Sequence, residues 1–374
     1  MAPNPPTIGR LAPSPTGAQH LGNARTYLVA WMLTRCNQGK LYLRVEDLDT
    51  PRTKAGAESL LLEDLRWLGL TWDRMEEVDA TAVSGQSDQA REIFWGKSLR
   101  ERGYVLQSER LARYQTILET LREKEVIYPC TCTRSEIEQS ASAPHEPTPG
   151  EGSSTLMPHP VDGPVYPGTC SYRTACDAER LDAQGLKYAW RFRFSSIAAL
   201  PSGATEIDRE TLRMTWWDDF LGKQSLAPIQ SLGDFVVARN YGPPAYQLAV
   251  VVDDHDMGIN QVVRGADLVS STYRQLALYG SMGWAPPRWF HAPLVVGPDG
   301  RRLAKRHGDT RLCTLRDEGY SNRLILGFLA NSLGWIDRPE EIDLGELESM
   351  LRQDRTLLDR IPKDPVQVLL PRPA

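Results

Sequence analysis

The chain has 374 residues, a formal net charge of −5 and a hydrophobic fraction of 41%, which leaves room for two or three compact units around a sizeable core. No signal peptide is expected from Met1 to Gly9, and the longest apolar run, Leu248-Ala249-Val250-Val251-Val252, is strand-sized and far short of a membrane span. Six cysteines, two of them one residue apart, argue against a disulfide scaffold and for a reducing, cytoplasmic setting with a metal site, while the net acidity argues against indiscriminate nucleic-acid binding.

Residues 8–12 read as a short strand that Pro13, Pro15 and Gly17 break into a turn. Apolar residues then recur at helical spacing from Leu21 to Cys36, and Asn37-Gln38-Gly39 ends the helix. Lys40 to Val45 is a strand, a helix is expected over 54–68, and Leu70-Thr71-Trp72 follows. This is the alternating rhythm of a parallel sheet. The stretch 105–235 breaks the rhythm with a helix over 111–124, a group of cysteines and short alternating strands such as Tyr188 to Phe194. Within it, 140–164 is rich in Ser, Pro, Gly and Glu and is expected to be mobile. The parallel pattern returns with an expected buried strand over Ala245–Asp253, a strand at Gln261-Val262-Val263-Arg264, and helices over 270–283 and 321–334. The expected division is 1–104 and 241–306 for two halves of a Rossmann-type, doubly wound α/β domain, 105–240 for an inserted α+β subdomain, and 307–374 for a short helical C-terminal region.

The turn from Pro13 to Asn23 has the features of a phosphate site, because glycines permit close approach and the following helix start offers free N–H groups. His20 could hydrogen-bond a phosphate oxygen, although a lone histidine there more often caps the helix. Lys305, in a basic stretch with Arg301, Arg302, Arg306 and Arg311, could bring a mobile cation to the same phosphates; alone, the stretch reads as a solvated loop. Arg10, Ser14, Glu46, Tyr246 and Arg264 all fall at expected strand ends or just beyond, where open α/β sheets bind ligands. Two cations, Arg10 and Arg264, and one anion, Glu46, suit a substrate with two carboxylates and one ammonium. Glu46 with Asp47 and Asp49 could instead be metal ligands or a helix start. Cys130-Thr131-Cys132 and the distant Cys170 could hold one tetrahedral ion, with Cys176, His145 or His159 as the fourth ligand on chemical grounds.

Pro13 to Asn23 and Arg302-Leu303-Ala304-Lys305-Arg306 resemble the HIGH and KMSKS elements of class I aminoacyl-tRNA synthetases. Arg44 to Arg52, Tyr246 to His255 and Val263 to Leu268 resemble further blocks of the glutamyl branch, and the similarity spans most of 8–335 outside the low-complexity insert. The last HIGH position is Asn23, and Ala304 replaces a serine of the lysine loop. The resemblance implies ATP, with Mg2+, held by Pro13, Gly17, His20, Gly22, Asn23, Arg302, Leu303 and Lys305, with His20 and Lys305 catalytic. It implies a glutamate pocket of Arg10, Ala12, Ser14, Glu46, Tyr246 and Arg264. The amino acid's own carboxylate attacks the α-phosphorus, so catalysis is positioning plus charge stabilisation.

The short tail after Lys305, and the pattern Cys130, Cys132, Tyr166, Cys170, resemble the truncated paralogue family, the glutamyl-queuosine tRNA(Asp) synthetases. That family implies one structural zinc on Cys130, Cys132, Tyr166 and Cys170, and a monomer. It also implies glutamate activation without tRNA and transfer to the queuosine base in the anticodon loop of tRNA(Asp). A short glutamyl-tRNA synthetase acting on a tRNA 3′ end is the first alternative, since 307–335 resembles the start of that enzyme's helical domain. A non-catalytic glutamate- or RNA-binding relic is the second, and the presence of Lys305 and His20 weighs against it.

Overall fold

Alternation along the second strand sets the layers of the molecule. In the computed structural model, which describes residues 6–15, 18–49, 56–75, 94–142, 164–196, 205–208, 213–239, 242–297 and 310–368, β1 (Ile8–Leu11) leads into α1 (Leu21–Cys36) and β2 (Lys40–Val45). Leu41, Leu43 and Val45 face the side of the sheet that α1 covers; Tyr42 and Arg44 face the opposite side, and both sets are buried. Next come α2 (Ala57–Trp67), α3 (Lys97–Arg102) and β3 (Val105–Leu106). Strands β1, β2 and β3 pair in parallel, with Arg10 opposite Tyr42 and Arg44 opposite Val105. Strand β3 thus joins the first sheet from beyond residue 104.

The middle of the chain supplies α4 (Leu111–Glu123), β4 (Ile127–Cys130), α5 (Arg134–Ser142), α6 (Asp177–Ala183), β5 (Ala189–Phe192), β6 (Thr205–Asp208), β7 (Arg213–Asp218), β8 (Gly222–Leu226), α7 (Pro228–Ser231) and β9 (Phe235–Arg239). Strands β4, β5 and β9 form one antiparallel sheet, and β6, β7 and β8 pair antiparallel as well. The segment expected to be mobile lies, from 143 to 163, outside the described residues.

The next element is α8 (Tyr246–Asp256), and it corrects the strand expected over Ala245–Asp253. A run of five apolar residues fits a buried strand or a helix buried all round, and period alone does not separate them. Here Leu248 to Val252 are all buried, and the helix closes at Gly258, whose φ of +66° is the left-handed geometry of a helix end. Then β10 (Gln261–Gly265), α9 (Val269–Met282), β11 (Arg288–Ala292) and β12 (Val295–Val296) follow. Strands β10 and β11 are parallel, with Arg264 opposite His291, and β11 meets β7 in parallel at Trp289 and Asp218. Strand β10 runs beside β1, tied by Asn260 N–H to the Ile8 carbonyl (3.0 Å) and by Ile8 N–H to Asn260 Oδ1 (2.8 Å). The first half of the chain therefore winds away from β1 on one side and the second half away from β10 on the other. The crevice between them is the switch point where such sheets bind ligands.

The C-terminal region holds α10 (Leu312–Asp317), α11 (Asn322–Ser332), α12 (Leu344–Gln353), a 3-10 turn at Arg355–Arg360, and β13 (Val366–Gln367), which pairs in parallel with β12. Its described residues are mainly helical until this last strand. The apolar residues of α1, α10, α11 and α12 join one core, while those of α4, α8 and α9 join the other. No helix among the described residues is long and apolar enough to cross a membrane.

Asp64 on α2 is buried 3.7 Å from the Arg316 guanidinium of α10. Burial pushes its carboxyl up to about 6 against the pull of Arg316. Because the folded value lies above the unfolded one, the contribution of this group to stability is fully present below pH 3.8 and is lost as pH rises through about 6. Asp64→Asn should therefore stabilise the protein at pH 8 by roughly 1–2 kcal/mol after allowance for solvent screening, and by much less at pH 4. Thermal melting of both proteins across that range checks it.

Candidate active site

His20 shows how the turn after β1 is built. Its Nδ1 accepts from the backbone N–H groups of Gly22 (3.1 Å) and Asn23 (3.4 Å), so it is the N-cap of α1. Gly22 makes room for the ring: a Cβ there would lie 3.1 Å from the imidazole. An imidazole that accepts at Nδ1 carries its proton on Nε2, and burial lowers the His20 pKa, which keeps the ring neutral. Capping and ligand binding are thus compatible, since Nε2–H remains a donor. Asn23 donates through Nδ2 to Gln19 Oε1 (2.9 Å), which also accepts from the Tyr27 hydroxyl (3.0 Å).

Beyond the undescribed residues 298–309 the chain lies against this turn. Leu21 N–H reaches the Thr310 carbonyl (3.1 Å) and Leu312 N–H reaches the Gln19 carbonyl (2.8 Å). Gly17, Arg302, Leu303 and Lys305 lie outside the described residues. Earlier in the chain, Pro293, Leu294 and Val295 line the same cavity as His20.

That cavity, about 570 Å3, opens at the crevice between β1 and β10. Its wall includes Arg10, Ala12, Ser14, Glu46, Tyr246 and Arg264, together with His20, Gly22 and Asn23. The sequence places these residues in four separate segments, and the fold gathers them around one space. Pro13 is beside it, its carbonyl accepting from Glu46 N–H (3.0 Å). Tyr246 enters from the first turn of α8, not from a strand end as expected.

Two arginines of the site region differ in how they are satisfied. Arg44 is wholly buried and bonds Asp254 Oδ1 (2.6 Å) and Glu46 Oε1 (2.9 Å), with Asp253 Oδ2 at 3.6 Å. Burial opposes its charge, but Asp254, Glu46 and Asp253 hold its pKa well above the ordinary value. Arg264 donates to four uncharged groups, His291 Nε2 (3.0 Å), Gln275 Oε1 (2.8 Å), Thr272 Oγ1 (2.6 Å) and the Leu268 carbonyl (3.3 Å), and also interacts with the Tyr246 hydroxyl. Burial lowers its pKa. Among the described residues no carboxylate pairs with it directly, so it is the cation most in need of an anion. Arg10 is intermediate, donating to Asp254 Oδ1 (3.2 Å) and to the Val263 carbonyl (3.1 Å). Glu46, steadied by Arg44, supplies the negative wall, and burial raises its pKa against the pull of Arg44.

Sequence reasoning missed the residues behind the wall. Asp254 bridges Arg10 and Arg44, while Arg110 bonds Asp253 (2.8 Å) and Asp256 (2.5 Å), and Tyr114 and Gln107 also donate to Asp253. The signal was available in the acidic run after the apolar stretch. Read as a helix, it puts Asp253 and Asp254 seven and eight residues beyond Tyr246, on its face.

A second group of side chains lies at the end of β4. Cys130, Cys132 and Cys170 place their sulfurs within 4.8 Å of one another. The Tyr166 hydroxyl is 3.3 Å from Cys130 Sγ and 3.8 Å from Cys132 Sγ, and Cys132 and Cys170 are 3.7 Å apart. A tetrahedral zinc with bonds of about 2.3 Å needs sulfurs about 3.8 Å apart, so the donor set fits such an ion. Burial and the neighbouring Cys130 push the Cys132 thiol up to about 11; a bound divalent cation would reverse that and favour thiolates. Cys176 is exposed at the start of α6 and is not in this group, and His145 and His159 lie outside the described residues.

Comparison with known proteins agrees with this architecture. The sequence model of the family described as tRNA synthetases class I (E and Q), catalytic domain, matches residues 7–182 and 204–356. The chain is 42% identical to a glutamyl-Q tRNA(Asp) synthetase of Rhodopirellula baltica, over 87% of this chain and 85% of that protein. It is 39% identical to the protein of that name from Symbiobacterium thermophilum, over 96% and 95%. A glutamate tRNA ligase from Elizabethkingia meningosepticum, solved with its amino acid, superposes with a TM-score of 0.69 at 26% identity, covering 98% of this chain and 67% of the ligase. The chain belongs to the class I tRNA synthetases of the E and Q branch, in the glutamyl-Q tRNA(Asp) synthetase family, and is a ligase.

Proposed function

We propose that the protein activates L-glutamate with ATP in the absence of tRNA and transfers it to the queuosine base of tRNA(Asp). The observation that carries the first half is the cavity at the β1/β10 crevice, whose wall offers two buried arginines and one largely covered carboxylate. Glutamate presents the complement: two carboxylates and an ammonium. In this reading Arg10 and Arg264 take the carboxylates and Glu46 the ammonium, with Ala12, Ser14 and Tyr246 shaping the space. His20 and Lys305 face the phosphates of ATP, and Gly22, Asn23, Pro13, Gly17, Arg302 and Leu303 form the rest of the nucleotide site. A glutamate carboxylate oxygen bonds to the α-phosphorus, the bond to the bridging oxygen breaks, and pyrophosphate leaves with that electron pair. Mg2+ would share the charge of the phosphates. A queuosine hydroxyl then attacks the activated carbonyl and AMP leaves.

The second half rests on the relatives' names and on the extent to which this chain spans them. Two measurements test the whole. Glutamate-dependent ATP–pyrophosphate exchange should proceed without tRNA. Labelled glutamate should then appear on tRNA(Asp) from cells that make queuosine and not on tRNA(Asp) from cells that lack it. Label at the 3′ end of a tRNA would instead establish the short glutamyl-tRNA synthetase. No exchange at all would leave only a binding protein.

Zinc is part of the same proposal, with Cys130, Cys132, Tyr166 and Cys170 as ligands. Close to one zinc per chain is expected by elemental analysis. Cys132→Ser should lower the zinc content and the melting temperature, whereas the exposed Cys176→Ser should leave both as they are. Zinc lost on changing Cys176 would make that residue, not Tyr166, the fourth ligand.

A further inference from the structure

Behind Arg264 runs a line of buried polar groups across three neighbouring parallel strands. On β10, Arg264 Nε–H donates to His291 Nε2 on β11 (3.0 Å), and the opposite ring nitrogen, Nδ1, lies 2.6 Å from Asp218 Oδ2 at the end of β7. His291 and Asp218 are both fully buried. The direction of the bonds is forced. A guanidinium has only donors, so His291 Nε2 must accept and its proton must sit on Nδ1, pointing at Asp218. Asp218 is fixed in turn: its Oδ1 accepts from the backbone N–H groups of Phe220 (3.0 Å), Leu221 (2.8 Å) and His291 (3.3 Å). Four donors around one buried carboxyl favour the carboxylate, which is the form that can accept from Nδ1–H.

We propose that Asp218 and His291 are positioning residues for Arg264, holding the imidazole in its neutral Nδ1–H tautomer so that the guanidinium is gripped by acceptors and kept free of a direct carboxylate partner. This deepens the proposed function and rests on it, since it assigns the relay to recognition of a substrate carboxylate. The physical logic concerns where the counter-charge sits. A carboxylate in contact with Arg264 would satisfy it, as Asp254 satisfies Arg44, and would compete with substrate. No counter-charge at all would make a buried guanidinium too costly. The relay puts the negative charge one residue away, across a neutral ring. Thr272 Oγ1 and Gln275 Oε1, both on α9, grip the Nη atoms. Four N–H donations are thereby engaged, and the Tyr246 hydroxyl at the cavity wall also interacts with the guanidinium.

Asp218→Asn tests the tautomer. Its amide can offer an N–H to His291 Nδ1, which moves the ring proton to Nε2 and sets it against Arg264 Nε–H. In pyrophosphate exchange by the full chain, KM for glutamate should rise roughly ten- to a hundredfold, the effect of opposed buried donors, while KM for ATP stays within about twofold and kcat changes less than KM. His291→Gln, which can place an amide oxygen near the Nε2 position, should retain more affinity for glutamate than His291→Ala. A purely structural role would lower thermal stability without this split between glutamate and ATP. A second measurement does not depend on the variants' activity. In wild-type protein labelled with 15N-histidine, the His291 signals, identified by their loss in His291→Gln, should report a neutral ring protonated at Nδ1 at pH 7. A proton at Nε2, or an imidazolium, would falsify the relay. So would an unchanged glutamate KM in a folded Asp218→Asn protein; with wild-type exchange intact, that result leaves the functional reading standing. A wild-type protein without glutamate-dependent exchange overturns the functional reading, and with it the purpose assigned to the relay.

Discussion

Arg264→Gln should lower kcat/KM for glutamate-dependent pyrophosphate exchange about a thousandfold, equivalent to the roughly 3–5 kcal/mol lost when one partner of a buried charge pair is removed. The guanidinium has no carboxylate partner of its own among the described residues; it donates to a ring nitrogen, an amide oxygen, a hydroxyl and a carbonyl. Replacing it costs the fold little direct Coulomb attraction, while a substrate carboxylate loses its cation. KM for ATP should therefore change little, and the melting temperature should fall only by the loss of neutral hydrogen bonds. Arg44→Gln is the contrasting case. Arg44 sits against Glu46, Asp253 and Asp254, so its loss leaves buried carboxylates without their cation and should lower the melting temperature strongly. If the two substitutions prove alike in stability and in glutamate KM, the division between a structural and a ligand-seeking arginine is wrong.

The elements that the sequence announces best are those whose two faces differ or whose ends are marked. Helix α1 has a capping residue, His20, and a polar stop after Cys36, and β2 alternates between two buried faces. Helix α8 departs from the expected strand because its apolar run is short and uniformly buried, so the period carries no information. Its end signals were present in Pro243-Pro244 before it and Gly258 after it, and they should outweigh hydrophobicity in such a run. The wall of the cavity was legible because motif blocks carry it, from Arg10 to Arg264. What holds the wall was not. Asp218, Arg264 and His291 become neighbours only through parallel pairing of β7, β11 and β10, and parallel register is set by packing over long separations. Asp254, which ties Arg10 to Arg44, is hidden for a different reason, because it sits on α8, where a strand is expected.

Glutamate should be activated about ten thousandfold more efficiently than glutamine, and aspartate should also be poor. The argument is charge counting along the cavity wall. Arg264 has only neutral contacts, and Arg10 shares Asp254 with Arg44. A carboxylate completes such a site, whereas the amide of glutamine brings no charge and sets N–H groups against N–H groups in one of its two orientations. A site built around polar partners rejects an analogue that leaves them unpaired by about four orders of magnitude, because a desolvated, uncompensated guanidinium is costly. Aspartate keeps its charges but is one methylene shorter. With its ammonium at Glu46 its second carboxylate cannot reach the arginine and Tyr246 together. Glu46 is itself positioned by Arg44 at 2.9 Å, so the ammonium has one fixed place to dock and the shorter chain cannot slide to compensate. Steady-state exchange with the three amino acids at saturating ATP decides the matter. Comparable rates for glutamine and glutamate would mean that Arg264 is not the cation that reads the side-chain carboxylate.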